Sequence, residues 1–260
     1  MMRLFDTHAH LHFPEYADDL DAVLERARAA GVRGMVTIGT DRGTNREVVA
    51  LAKRLPDVWA TVGIHPHDAG EAIEADFDEM ERLAREEPRV VGFGEMGLDF
   101  FRNLSASNAQ RQVFRRQIAI ARRARKPLVV HCRDAHDETL AILDEERAGE
   151  VGGVMHCFSG DVEIARRCLD LGFHISLAGP VTYKNARALP DVARFVPEAR
   201  LVVETDCPYL PPTPHRGKRN EPAYVALTAA CVAGLRGADP EALSEALTVN
   251  ATKLFRVTLT

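Results

Sequence analysis

Two histidines near the amino terminus have the spacing of a pair of metal ligands. His8 and His10 follow the short apolar run Leu4-Phe5, which predicts a β-strand. Side chains on a strand alternate between its two faces, so these two imidazoles point the same way. Taken alone, the pair is explained equally well as ordinary polar residues at a strand end. A metal site requires that the rest of the chain supply further ligands at equivalent places.

Such ligands recur where other predicted strands end. They are His65 after the third strand, Glu95 after the fourth, His131 after the fifth, His156 after the sixth and Asp206 beyond the eighth. Each of them alone has a structural explanation, such as a hydrogen-bonded core histidine or an acid that caps a turn. Their recurrence at one structural position argues against that explanation for the whole set. We therefore predict a metal site at the carboxyl ends of the strands.

The predicted donor set is too large for one tetrahedral ion. It consists of His8, His10, Glu95, His131, His156 and Asp206. A catalytic zinc ion keeps three protein ligands and one water, whereas six donors suit two ions about 3.5 to 4 Å apart with one shared carboxylate. Glu95, on the fourth strand, is the candidate bridge. Imidazole and carboxylate ligation permits zinc, magnesium or manganese, and also cobalt or iron.

Paired divalent ions imply hydrolysis, because they acidify a bound water and polarise the oxygen of the bond under attack. Asp206 is predicted to bind one ion and to accept the proton of the attacking water as a general base. Asp206 and Glu95 are therefore the candidate catalytic carboxylates. Asp6 shares a strand face with the first two histidines and is a candidate to orient an imidazole. For Asp6 and for His65, a structural role is the alternative.

Short β-branched runs alternate with amphipathic helical stretches, which predicts a parallel sheet with helices outside it. The predicted strands are residues 3–8, 34–38, 59–64, 90–95, 128–131, 153–156, 174–177 and 201–204. The predicted helices are residues 18–30, 42–54, 76–85, 107–124, 134–145, 162–171 and 185–195, then about 223–234 and 240–255. Asp161 is predicted as a helix N-cap, and Gly31 and Gly172 as left-handed residues that follow helices.

The predicted fold class is α/β, a single-domain TIM-type (β/α)8 barrel with parallel strands over residues 1–260. Eight units account for the length, and no linker or composition shift divides the chain. A doubly wound open sheet is the alternative. Its Gly-x-Gly-x-x-Gly turn is absent after the first strand, where histidines stand instead.

Composition argues against several classes of protein. The sequence has neither an apolar run long enough to span a bilayer nor a signal peptide, so we expect a cytoplasmic protein without a membrane partner. The net charge of -5 provides no general basic field, so an anionic substrate must be held by local cations or by metal. The five scattered cysteines lack C-x-x-C spacing, which argues against a disulfide framework or a zinc finger.

Several motifs resemble, in order, those of a known family. They are Asp6-Thr-His-Ala-His-Leu11, Gly63-Ile-His-Pro-His67, Gly94-Glu-Met-Gly-Leu-Asp99, His131-Cys-Arg133, His156-Cys-Phe-Ser-Gly160, Glu204-Thr-Asp-Cys-Pro-Tyr-Leu210 and Arg216-Gly-Lys-Arg-Asn-Glu-Pro222. The chain is similar through them to the TatD family of metal-dependent deoxyribonucleases, within the amidohydrolase superfamily. Two departures concern substrate contacts: His12 stands where an acid is common, and Phe100 where a tyrosine is frequent.

The resemblance implies a TIM-type barrel with two divalent ions. The counterparts of His8, His10 and Asp206 would hold one ion, those of His131 and His156 the other, and Glu95 would be shared. It also implies hydrolysis of phosphodiester bonds in DNA, often as a 3′-5′ exonuclease that uses magnesium, manganese or zinc. Some members of the family remove D-amino acids from tRNA.

Several residues are candidates to bind the substrate. They are His65 at the third strand, Arg133 two residues beyond His131, Ser159 before a helix, and Arg216 and Lys218 in the Pro-rich region after the eighth strand. A basic run is usually a solvated loop, but barrels often bind phosphate after this strand. Phe100, Phe101 and Tyr209 are candidates to stack on unpaired bases, although aromatic residues beside a site are as often packing.

The main hypothesis is a two-metal phosphodiesterase that trims single-stranded DNA ends, as a monomer or weak oligomer. The alternative is a D-aminoacyl-tRNA deacylase or a small-molecule amidohydrolase that uses the same site, which makes tRNA the second candidate partner. A non-catalytic metal-binding barrel is a third hypothesis, and the complete ligand set argues against it. Assays with a labelled oligonucleotide and with D-aminoacyl-tRNA separate the first two hypotheses.

Overall fold

Eight parallel strands form the sheet of this protein. The computed structural model describes residues 2–259. In chain order, strands β1 to β8 are Leu4–Ala9, Val32–Ile38, Val58–Val62, Val90–Asp99, Leu128–Arg133, Gly153–Met155, Phe173–Leu177 and Leu201–Val203. Each strand pairs in parallel with the next one in the sequence. Parallel pairing in chain order carries all the carboxyl ends to the same edge.

Residues that follow β8 close this sheet against β1. Ala9 and Cys207 form an isolated parallel bridge. The His8 carbonyl accepts the Asp206 N–H at 2.9 Å, and the Cys207 carbonyl accepts the His10 N–H at 2.8 Å. The predicted TIM-type (β/α)8 barrel is therefore confirmed, and its seam brings Asp206 beside the first two histidines.

Helices follow each strand and cover the outside of the barrel. In chain order, α1 to α9 are Leu20–Ala29, Arg42–Arg54, Glu74–Glu86, Ser107–Ala124, His136–Glu145, Val162–Asp170, Leu189–Phe195, Val225–Arg236 and Pro240–Phe255. The Asp161 side chain caps α6 by accepting the Ile164 N–H at 3.0 Å, as predicted. In the described part of the chain, no helix has the length and apolar character needed to cross a bilayer.

Two elements differ by four residues from their predicted bounds, more than the others. Helix α7 begins at Leu189 rather than at residue 185, because Pro190 lacks an amide hydrogen and fits only the first turn of a helix. Strand β4 continues to Asp99 instead of ending at residue 95. Gly97 is a strand residue there: its φ is 144°, and a Cβ atom would lie 1.9 Å from the His131 carbonyl oxygen.

The barrel is apolar at its amino end and polar at its carboxyl end. Phe5 stacks on Trp59 and on Phe255 of α9, with ring centroids 5.8 and 6.4 Å apart. These rings belong to a buried apolar cluster that also contains Val129 of β5. Because strand side chains alternate, His131 lies two positions further along the face that carries Val129. The apolar layer therefore supports the histidine layer from below.

Gly97→Ala is predicted to destabilise the protein by about 3 kcal/mol or more, because the methyl group meets the β5 backbone and the positive φ is strained. Chemical denaturation monitored by circular dichroism measures the loss. Gly234→Ala, in α8 with open space around the glycine, is the control and should stabilise the protein by about 0.5 to 1 kcal/mol. Equal stability of the two variants would contradict the close approach of β4 and β5.

Candidate active site

Four donor atoms converge between β1, β4 and the segment after β8. The Nε2 atoms of His8 and His10 are 3.3 Å apart. Glu95 Oε2 lies 3.3 Å from His8 Nε2 and 3.8 Å from His10 Nε2. Asp206 Oδ1 lies 3.6 Å from His8 Nε2 and 3.5 Å from His10 Nε2. All four side chains are buried, so water competes little for these atoms.

A second group of donors uses the other oxygen of the same carboxylate. His131 Nδ1 and His156 Nε2 are 3.4 Å apart. They lie 3.0 and 2.9 Å from Glu95 Oε1. Glu95 therefore turns Oε2 toward one pair of imidazoles and Oε1 toward the other pair.

The spacing and chemistry of these atoms fit metal ions. Ligands on a tetrahedral ion with bonds of 2.0–2.1 Å are about 3.4 Å apart, close to the distances between the donors. The Nδ1 atoms of His8 and His10 have no hydrogen-bond partner among residues 2–259. Two imidazole nitrogens 3.3 Å apart, beside carboxylate oxygens, form a group of donors that attracts a cation. The clusters His8–His10–Glu95 and His65–Glu95–His131 are able to hold metal.

Two further carboxylates lie behind the imidazoles of the second group. Asp99 Oδ2 is 3.1 Å from His131 Nε2, and Glu204 Oε1 is 3.2 Å from His156 Nδ1. Glu204 Oε1 also accepts the Cys157 N–H at 2.6 Å, which fixes its position. A ring nitrogen that donates to an acid leaves the opposite nitrogen as the one that can bind a cation. Both free nitrogens face Glu95.

The tautomer of His65 is fixed by a backbone hydrogen bond. Its Nδ1 accepts the His67 N–H at 3.1 Å, so its Nε2 carries the hydrogen. That Nε2 lies 3.4 Å from Glu95 Oε1. Burial lowers the pKa of His65 to about 4, which leaves the ring neutral near pH 7. His65 therefore acts as a neutral hydrogen-bond donor at the edge of the second group.

The carboxylate at the centre stays ionised. Burial alone would raise the pKa of Glu95, but His156, His65 and His8 outweigh burial and hold that pKa well below its usual range. Burial would lower the pKa of His156, but Glu95 and Glu204 raise it well above its usual value. The site is therefore a buried centre of negative potential that favours positive charge on His131 and His156.

An open pocket of about 700 Å³ lies over these donors. Its walls include Arg102, Arg133, Ser159 and Tyr209. Phe13 meets Tyr209 edge to face on one side, with ring centroids 5.9 Å apart. Metal-binding groups at the floor and aromatic and cationic groups on the walls suit a phosphate ester that carries planar rings.

Comparison with known proteins supports the same chemistry. A family model described as TatD related DNase matches residues 5–256. The chain belongs to the TatD family of metal-dependent hydrolases. The Uncharacterized metal-dependent hydrolase YabD of Bacillus subtilis (strain 168) is 44% identical over 98% of this chain and 99% of its own. The 3′-5′ ssDNA/RNA exonuclease TatD of Salmonella typhimurium (strain LT2) is 39% identical, over 98% of this chain and 99% of its own.

A solved TatD structure agrees closely with the fold. YJJV, a TatD homologue from Escherichia coli K12, has a TM-score of 0.94 and 32% identity. The alignment covers 98% of this chain and 99% of that one. The resemblance read from the motifs is therefore confirmed at the level of family, fold and metal-dependent hydrolysis.

The TatD pocket gathers only part of the predicted substrate-binding set. His65, Arg133 and Ser159 line it, whereas Arg216 and Lys218 are not among the described residues of its walls. The Arg216 guanidinium instead lies 4.2 Å from the centre of the Tyr183 ring, on an exposed loop. Arg219 of the same loop pairs with Asp19 of the β1–α1 connection.

Sequence reasoning missed several residues of the site. Asp99 and Glu204 received no role, and Arg102 was not considered. The period of two along β4 is a signal for Asp99, since it lies four residues beyond Glu95 on the same face. Asp6 does not contact an imidazole: it accepts the Thr205 hydroxyl at 2.5 Å and holds the segment before Asp206.

Divalent metal is predicted to stabilise protein from which metal has been removed with a chelator, because the donors converge only in the folded state. Zinc or manganese at 100 times its dissociation constant should add about 2.7 kcal/mol, measured as a rise in Tm. Glu95→Gln should lose most of that gain. Glu86→Gln, an exposed acid paired with Arg82, should keep it. An equal gain in both variants would place the metal elsewhere.

Proposed function

We propose that this TatD-family hydrolase is a 3′-5′ exonuclease that cleaves phosphodiester bonds at the ends of single-stranded DNA with two divalent ions, zinc, magnesium or manganese. The observation that carries the proposal is the Glu95 carboxylate, whose two oxygens face two separate imidazole pairs. One shared carboxylate between two donor groups is the arrangement of two-metal phosphodiester hydrolysis. The name of the Salmonella relative supports single-stranded DNA and adds RNA as a second substrate.

Six residues are proposed to hold the ions. They are His8, His10 and Asp206 for the first ion, His131 and His156 for the second, and Glu95 for both. Ions bound there supply Lewis acidity, which favours ionised water and offsets the negative charge that develops on the phosphoryl oxygens. The donor chemistry permits any of the three proposed metals.

Asp206 is proposed as the general base. Burial raises its pKa, but hydrogen bonding from His10 and the charges of His8 and His156 outweigh burial and lower it, so the carboxylate is ionised and able to accept a proton. Its φ of 56° is one that aspartate tolerates, and its N–H is fixed by the His8 carbonyl. Its side chain therefore has a set direction toward the pocket floor.

The neighbouring groups would hold the reacting atoms in place. Asp99 and Glu204 orient the rings of His131 and His156. The Nε2–H of His65 can donate to a phosphoryl oxygen beside the second donor group. Preset rings and a preset donor reduce the reorganisation required when the substrate binds.

The proposal includes a cytoplasmic location and a single catalytic domain, as a monomer or weak oligomer. All five cysteines are free, which suits a reducing compartment. Cell fractionation and analytical ultracentrifugation test these points.

Metal-reconstituted protein is predicted to shorten a 5′-labelled single-stranded oligonucleotide stepwise and to release a 3′ label at once as a mononucleotide. Gel electrophoresis over time distinguishes this from internal cleavage. A blunt duplex should be cut more slowly, because paired ends must first separate. Hydrolysis of D-aminoacyl-tRNA with no nucleotide release under any divalent metal would replace the nuclease by the deacylase alternative.

Asp206→Asn is predicted to lower kcat about 10²- to 10⁴-fold, because the amide cannot accept the proton. Steady-state kinetics on the oligonucleotide measures the loss, and metal content is determined by elemental analysis of the same samples. Asp191→Asn, an exposed acid on α7 paired with Arg194, is the matched control. A loss in Asp206→Asn that disappears when metal is restored in excess would assign Asp206 to metal binding alone.

A further inference from the structure

Two arginines on the pocket wall lack the acidic partners that many arginines of the outer helices have. Arg102 follows β4 and Arg133 ends β5, and both side chains line the pocket and are solvent-exposed. No carboxylate among residues 2–259 forms an ion pair with either guanidinium. Two free guanidiniums therefore face the space above the metal-binding groups.

Arginines on the outer helices show the opposite behaviour. Arg46 of α2 pairs with Glu79, and Arg123 of α4 pairs with Glu81. Arg115 of α4 pairs with two consecutive acids at the carboxyl end of α5. Among the residues that the structure describes, Arg54 and Arg216 also form no ion pair, but they do not line this pocket, whereas Arg102 and Arg133 do. The two arginines in the pocket can receive an anion from outside.

Arg133 is placed beyond the metal-binding groups and not among them. It lies on the same face of β5 as His131, two residues further along, which is about 7 Å in an extended strand. Its guanidinium lies 3.9 Å from the centre of the exposed Phe101 ring. Stacking on that ring orients the planar group while leaving its N–H edge free.

The backbone of Arg102 is held by Asp99. The Asp99 carboxylate, which orients His131, also accepts the backbone N–H of Arg102 at 2.7 Å. The Phe100 N–H donates to the Arg133 carbonyl at 3.0 Å, which ties the β4 loop to the end of β5. The loop that carries Arg102 is therefore fixed relative to the metal-binding groups.

We propose that Arg102 and Arg133 form a subsite for a second phosphate, the one adjacent to the phosphodiester that is hydrolysed. This inference rests on the proposed nuclease function. The donors of the floor would serve the scissile phosphate, and the two guanidiniums lie on the wall of the same pocket, where the neighbouring phosphate of an extended strand would pass. The guanidinium of an arginine donates two parallel hydrogen bonds to phosphate oxygens. Two arginines can therefore hold one phosphate without contacting a base.

The subsite selects oligonucleotides over single phosphodiesters. A substrate with one phosphodiester reaches the floor but leaves the subsite empty. A substrate with two phosphodiesters fills both, and the added contacts appear mainly in KM because they form before the chemical step.

The test uses metal-reconstituted enzyme and two thymidine oligonucleotides, TpTpT with two phosphodiesters and TpT with one. Wild type should favour TpTpT by about tenfold or more in kcat/KM. Arg102→Gln and Arg133→Gln should each raise KM for TpTpT about tenfold, and leave kcat/KM for TpT within about twofold. Arg102→Lys and Arg133→Lys, which keep the charge but lose the fork, should fall between.

Arg166→Gln is the matched control, because Arg166 also stacks on a phenyl ring, that of Phe195, but lies on α6 outside the pocket walls. It should leave kinetics on both substrates unchanged. The slope of log kcat/KM for TpTpT against log salt concentration should also become shallower in each substitution of Arg102 or Arg133. The expected change is about 0.7 for every phosphate that the enzyme no longer neutralises.

The outcomes separate the inference from the function. Equal losses on TpT and TpTpT, or no loss on either, would overturn the phosphate subsite while leaving a phosphodiesterase. Wild type that hydrolyses neither oligonucleotide with any divalent metal would overturn the nuclease proposal and the subsite with it.

Discussion

A buried carboxylate between two pairs of imidazoles is the constraint on which the rest of the site depends. An ionised acid in a protein interior is unfavourable unless positive charge compensates it. Around Glu95 the neighbours are histidines from three other strands, and the raised pKa values of His131 and His156 favour positive charge on those two rings. The centre therefore stabilises cations and requires all four strands to keep their register. A metal ion satisfies the same requirement with shorter contacts than protonated rings provide.

The barrel meets this requirement by layering each strand. On β5, Val129 packs in the apolar cluster, His131 lies in the histidine layer, and Arg133 reaches the rim. Successive inward positions thus change from packing to proposed cation binding and then to proposed anion binding. Asp99 links two of these layers, because one carboxylate accepts both the His131 ring and the backbone of the β4 loop. The geometry of the floor and that of the wall are consequently set together.

The sequence was sufficient to predict the barrel and the residues at the strand ends, because parallel strands bring their carboxyl ends to one rim whatever their exact bounds. Asp99 was left out of the predicted strand, which ended before Gly97, a residue type common in turns. The missing side chain of Gly97 instead allows the β5 backbone to approach β4 closely. The position of Arg216 could not be predicted, since its guanidinium pairs with the ring of Tyr183, which lies on a loop distant in the sequence. Pairing of this kind is decided by tertiary structure.

Pairing of the surface arginines also bears on how an acidic enzyme handles a polyanion. Non-specific affinity for nucleic acid rises with the number of cations free to displace counterions. In this chain, guanidiniums such as those of Arg46 and Arg123 are already matched with acids, which reduces that affinity on the outer helices. The net charge of -5 opposes it further. The pocket wall with Arg102 and Arg133 is then the proposed place where a nucleic acid strand is held. Under the proposed function, the enzyme would engage ends that can enter the pocket and would release the polymer between cuts.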